Sequence, residues 1–132
     1  MRKKRIMKSF KFNNEELFLD IGTYNVGKGL AILCGTVDEP FTDVTINLPG
    51  MYLSSIDKAY IDPMCEYCGL YQTLIDLGII KEVVKEKVSY NMGKYDLVRF
   101  DMDKLKEYDP EGLEEYLKEN GYDKDISLNP SI

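Results

Sequence analysis

The stretch GTYNVGKG, Gly22 to Gly29, carries all of a phosphate-binding loop, G-x-x-x-x-G-K, except the final Ser or Thr, whose place Gly29 takes. Such a loop wraps phosphates with backbone N–H groups, reaches them with its Lys and holds Mg²⁺ through its hydroxyl. It must also open a helix, whose N-terminus favours an anion. Neither condition is met here. Gly29 offers no hydroxyl, and the following Leu30-Ala31-Ile32-Leu33-Cys34-Gly35-Thr36-Val37 has the apolar run and termination of a strand. The preceding Leu17-Phe18-Leu19-Asp20-Ile21 also reads as a strand, with Leu17, Leu19 and Ile21 on one face. Two strands joined by Tyr24 to Gly29 make a hairpin, in which Asn and Gly are expected to supply the positive φ values. The motif is a turn, not a nucleotide site.

The same reading extends outward. Lys8 to Phe12 is expected to form an edge strand ended by Asn13-Asn14, and Asp38 to Asp43 a loop. Val44-Thr45-Ile46-Asn47-Leu48 alternates, with Val44, Ile46 and Leu48 facing in and Thr45 and Asn47 out, until Pro49-Gly50 stops it. A short strand is expected at Lys58 to Ile61. Leu70, Tyr71, Leu74, Ile75 and Leu77 have helix spacing, closed by Gly78. Ile79 to Tyr90 fits a helical period, but its β-branched content favours a strand. Tyr95 to Phe100 is another strand, reached through a turn at Asn91-Met92-Gly93. Asp109 can cap a last helix with Pro110 in its first turn, Leu113, Tyr116 and Leu117 facing inward and Asn120-Gly121 ending it. The expected fold is α+β: a mostly antiparallel sheet of about five to seven strands, rich in hairpins and covered by one or two helices. Residues 1–7 read as a basic, disordered terminus, 8–121 as one domain, and 122–132 as a loosely held tail.

Charge is unevenly placed. Residues 1–12 hold six basic groups and no acid, so the remainder carries 11 basic groups against 23 acids, a net of −12. Within it, residues 101–132 hold ten acids against four lysines. Such a body repels nucleic acid and attracts basic surfaces. Many of the ten tyrosines stand beside acids, as in Tyr95-Asp96, Glu107-Tyr108-Asp109, Glu115-Tyr116 and Tyr122-Asp123. That pattern suits a surface meeting Arg-rich protein partners, and equally a half-buried helix face. No run of about 18 apolar residues is present to span a membrane, and the basic start is not followed by the apolar segment of a signal peptide. Three cysteines fit a reducing compartment, and a cytoplasmic location is expected.

Two cysteines raise a chemical possibility. Cys65-Glu66-Tyr67-Cys68 follows a strand and opens a helix, the local setting of a redox pair. That chemistry also needs a parallel βαβ surround and a proline facing the pair, yet the segments read as hairpins and no Pro lies between Pro63 and Pro110. A zinc site would need further ligands, and the chain has Cys34 but no histidine. The plain alternative is a pair of small apolar side chains under a helix. Without histidine, the usual Ser-His and Cys-His nucleophiles are absent. No carboxylate pair stands out by spacing. A non-enzymatic protein without cofactor or metal is expected.

Several segments together resemble a family of small bacterial domains of unknown function. They are Tyr24-Asn25 with Gly29-Leu30-Ala31-Ile32-Leu33, Thr45-Ile46-Asn47-Leu48-Pro49, Ala59-Tyr60-Ile61-Asp62, and the helix end Leu77-Gly78, across residues 15–101. Members often continue the Asp62 position with Thr-Asn-Asn, where this chain has Pro63-Met64-Cys65. The resemblance brings no activity, only a setting on plasmids, conjugative elements and phages of Gram-positive bacteria. That setting implies an acidic protein that inhibits a host defence nuclease, of the anti-CRISPR or antirestriction kind, by occupying its basic surface. The partner-binding residues expected are Glu107, Tyr108, Asp109, Glu111, Glu114, Glu115 and Glu119, with no direct nucleic-acid or membrane contact. An accessory protein acting through self-association or a replication or transfer partner is the alternative. A small redox or metal protein using Cys65 and Cys68 is the second.

Overall fold

A computed structural model describes residues 7–51 and 53–122. The segments 1–6 and 123–132, read above as basic terminus and tail, lie outside the described residues. Asn13 and Asn14 turn the chain back on itself at φ of 51° and 67°, a left-handed conformation that Asn tolerates better than most side chains. They join β1 (Phe10–Phe12) to β2 (Glu15–Thr23). The decisive turn follows: β2 pairs antiparallel with β3 (Leu30–Gly35), Thr23 opposite Leu30, and the Tyr24 N–H donates to the Gly29 carbonyl at 2.9 Å. The positive φ values fall on Gly27 at 85° and Lys28 at 57°, so Lys28 rather than Asn25 partners the glycine.

The loop expected at Asp38 to Asp43 contains a strand, β4 (Pro40–Asp43), paired with β3. Pro40 hid it. A proline cannot donate to a ladder and is confined to edges and irregularities. Here it sits opposite Gly35, where the register shifts. Gly35 has no room for a side chain, since a Cβ would stand 2.7 Å from the Glu39 carbonyl oxygen. The first sheet has the order β1-β2-β3-β4.

The chain then passes from one sheet to the next without a break. The Val44 N–H donates to the Ile32 carbonyl and the Val44 carbonyl accepts from the Asp62 N–H, both at 2.9 Å. After it, β5 (Thr45–Ile46) pairs with β6 (Lys58–Ile61). At this crossing the alternation expected for Val44 to Leu48 fails. Thr45 is buried, and its Oγ1 accepts from the Ile32 N–H at 3.0 Å and shares a 2.8 Å bond with the Tyr24 hydroxyl. Protein covers both sides of the strand, so a polar side chain can face in when its hydroxyl is satisfied.

Ile79 to Tyr90 resolves as a strand, β7 (Ile80–Tyr90), in a hairpin with β8 (Gly93–Phe100). The second sheet has the order β5-β6-β8-β7, and every pairing in both sheets is antiparallel. β7 is irregular around Lys87, which sits at φ 54°. Asp96 holds that kink: one carboxylate oxygen accepts from the Lys87 N–H at 2.9 Å and the other from the Tyr71 hydroxyl at 2.7 Å.

Asp62 caps α1 (Pro63–Tyr67) by accepting from the Met64 N–H at 2.9 Å, and Gly69 leads into α2 (Leu70–Asp76), which buries Leu70, Tyr71 and Leu74. α3 (Met102–Tyr108) was not expected from the sequence. Its seven residues bury only Leu105 and Tyr108, too few to show a period, but Asp101 caps it through the Lys104 N–H at 3.1 Å. α4 (Pro110–Glu119) starts and ends where its capping residues place it. Among the described residues the fold is therefore α+β, as expected, with eight strands in two sheets and four helices rather than one or two. The core draws Leu17, Leu19, Ile21 and Ile32 from the first sheet, Val98 and Phe100 from the second, and Leu105 and Tyr116 from the helices. Tyr122, assigned to the tail, packs partly buried against it. No helix of the described residues is long and apolar enough to cross a membrane.

Asp96→Ala should orphan the buried Tyr71 hydroxyl and release the Lys87 kink, lowering stability by about 2–3 kcal/mol. A fall in the urea midpoint at unchanged m-value would register it.

Candidate functional site

The acidic C-terminal segment is positioned by one buried carboxylate. Asp109, 0% exposed, caps α4 by accepting from the Gly112 N–H at 3.1 Å. Its other oxygen accepts from the Ile21 N–H of β2 at 2.8 Å. Gly112 makes this approach possible, because a Cβ there would collide with both the Asp109 carboxylate and the Ile21 carbonyl. Leu113, Tyr116 and Leu117 then bury the inner face. Two further bonds hold the far end: the Tyr116 hydroxyl donates to the Ile56 carbonyl at 2.6 Å, and the Asn120 amide to the Lys28 carbonyl at 3.1 Å.

With the inner face fixed, the outer face is determined. Glu111, Glu115 and Glu119 recur every fourth residue and are exposed, with Glu114 beside them half-buried. Lys118 is the one basic residue of the helix. Glu111, Glu114 and Glu119 form no ion pair within the described residues. A shallow recess opens where the helix meets the hairpin turn, lined by Thr23, Tyr24, Asn25, Lys28, Glu115 and Glu119 along with Gly22.

The other expected surface residues fare differently. Glu107 is exposed but neutralised, 2.8 Å from the Lys8 ammonium, whose hydrogen bond and charge hold the carboxyl below its usual range. Tyr108 and Asp109 are corrections, since neither can meet a partner. Tyr108 is 4% exposed, packed edge-to-face on Phe10 with ring centres 6.0 Å apart, and the Lys8 ammonium lies 5.2 Å from its ring centre. Asp109 is consumed by its two backbone bonds. Gly112 was the residue that sequence reasoning missed. A glycine in the first turn of a helix, against propensity, was the available signal of a close backbone approach.

The Cys65–Cys68 motif lies at the short helix α1. Cys65 is fully buried in α1, and burial pushes its thiol up, opposite to the shift that makes a redox thiolate. Cys68 is half-buried, its Sγ 3.6 Å from the Cys65 carbonyl, and all three cysteines are free. Within the described residues no three Cys, Asp or Glu side chains gather as metal ligands. The motif Gly22 to Gly29 opens a strand, not a helix.

The sequence profile of a domain of unknown function, DUF4313, matches residues 18–120, from β2 to just beyond the last residue of α4. Comparison with curated proteins and with solved structures returned no match.

Gly112→Ala, a change that stabilises an ordinary helix interior, should here lower stability by about 2 kcal/mol through overpacking, read as a lower thermal midpoint. Native protein treated with a thiol reagent at neutral pH should react at Cys68 well before Cys65 and Cys34; mass spectrometry of the modified peptides would show the order.

Proposed function

We propose that this chain, which belongs to the DUF4313 family, is a non-enzymatic protein-binding module that docks the outer face of α4 on a basic protein surface. The observation that carries the reading is the rigid row Glu111, Glu114, Glu115 and Glu119 on a helix anchored at both ends. A preorganised row loses little entropy on binding. Carboxylates also form charge-assisted, often bidentate bonds with arginine. The recess beside Glu115 and Glu119 gives room for one such side chain.

The narrower form of the proposal is an inhibitor of a host defence nuclease, of the anti-CRISPR or antirestriction kind, carried by a plasmid, conjugative element or phage of Gram-positive bacteria. A nuclease channel is basic because it must hold phosphates, and an acidic helix is matched to it in charge. Such binding associates fast at low salt and weakens as salt rises. An accessory protein of the element working in the cytoplasm through self-association is the second reading, and it predicts association insensitive to salt.

The test pairs binding with nuclease inhibition for wild type and a variant reversing Glu111, Glu114, Glu115 and Glu119 to Lys. Affinity for the nuclease and inhibition of cleavage should both fall at least about tenfold, the equivalent of about 1.4 kcal/mol. Glu107→Lys should change affinity less, because Lys8 already neutralises that carboxylate. A folded charge-reversed variant that binds and inhibits as wild type would sink the assignment of this face.

A further inference from the structure

The hairpin turn that resembles a phosphate loop borders a second feature, a cavity of about 180 Å³ between residues 26–30 and residues 46–51, 53–56 and 58–60, with Tyr24 at its edge and Tyr116 and Asn120 on one side. Its size matters first. A cavity of roughly 150 Å³ accommodates a benzene ring, so this one has room for a ring of that size. Its charge matters next. The chain carries 23 acids and a net charge of −6, yet among the described residues no carboxylate lines the cavity, while Lys28 and Lys58 both do. Neither lysine has an ion-pair partner among the described residues.

The third observation is a phenol with nothing to bond. Among the described residues three tyrosines line the cavity. The Tyr24 hydroxyl is engaged by Thr45 and the Tyr116 hydroxyl by the Ile56 carbonyl. Tyr60, on β6 and only 7% exposed, has no hydrogen-bond partner for its hydroxyl among the described residues. No fully enclosed side-chain N or O atom among the described residues lacks a partner, so this hydroxyl is accessible and free to donate to a molecule in the cavity that Tyr60 lines. Leu30, Leu48 and Ile56 supply apolar wall.

We infer that this cavity is a binding site for a small organic anion, its charged head held by Lys28 and Lys58 with Tyr60 donating a hydrogen bond and its apolar body against Leu30, Leu48 and Ile56. A few placed polar groups on an apolar wall are the usual build of a small-molecule site. The site adjoins the acidic face of α4, sharing Lys28 with the recess beside Glu115 and Glu119, and is opposite to it in charge.

Benzoate, hexanoate and inorganic phosphate serve as probes against ¹⁵N-labelled protein, with benzylamine and benzyl alcohol as cationic and neutral controls. Benzoate or hexanoate should produce saturable amide shifts at Gly27, Gly29 and Tyr60, with a Kd near about 1 mM or tighter. The controls should not. Lys58→Gln should weaken binding about fivefold or more, and Tyr60→Phe, which keeps the ring and therefore the packing, by a similar factor. Lys11→Gln, on β1, should change nothing. The inference is overturned if none of the three anions gives saturable shifts there at about 10 mM. It is equally overturned if benzylamine binds as well as benzoate, or if the Lys58 and Tyr60 variants, their spectra otherwise native, bind as wild type.

Discussion

The placement of the acidic helix rests on the Asp109 carboxylate. It is removed from solvent and takes up two backbone N–H groups, one at the start of its own helix and one in a strand 88 residues earlier. A buried carboxylate left without donors is strongly unfavourable, so α4 has one seat on β2 and little freedom to rotate or slide. The glycine at 112 is the steric counterpart of that bond, since the two backbones can approach only where no Cβ intervenes. Which glutamates face water follows from this single junction, and so does the withdrawal of Tyr108 beside it.

A second junction joins the sheets. Residues 40–46 run along β3, hand over at Val44 and continue along β6. Thr45 binds the Ile32 N–H and the Tyr24 hydroxyl at that point, so the hairpin turn is stitched to the crossing. Asn47 adds a further stitch by donating to the Val26 carbonyl at 3.1 Å. The small cavity lies beside this crossing, where Tyr24 and residues 46–49 are among those lining it. Its walls come from segments far apart in the chain, which is why the motif that contains Lys28 did not point to Lys58 or Tyr60 as its neighbours.

What the sequence showed plainly was governed by local physics. Glycine and asparagine marked the turns, alternation marked β2, and Asp109-Pro110 marked the start of α4. Elements decided by neighbours were hidden. β4 reads as a loop because Pro40, Thr42 and Asp43 carry no apolar period, and it exists because β3 offers it an edge. Thr45 reads as outward until both of its sides are covered. The site followed the same division. Glu111, Glu114, Glu115 and Glu119 were chosen together with Tyr108 and Asp109 on charge and on tyrosines beside acids, and it is the packing of α4 that leaves the four glutamates at its outer side while burying the other two. Asp109 had already been read as a cap, and a cap this close to a strand cannot also be surface.

The Lys87 kink carries one more consequence. β7 is an outermost strand eleven residues long, and a flat strand of that length would be a template for pairing with another chain. Asp96 pins a left-handed residue into its middle, and lysines and glutamates crowd the rest of it. The twist and the charge spoil the ladder that a second molecule would need. An outer strand broken in this way is a poor template for backbone pairing with a second chain.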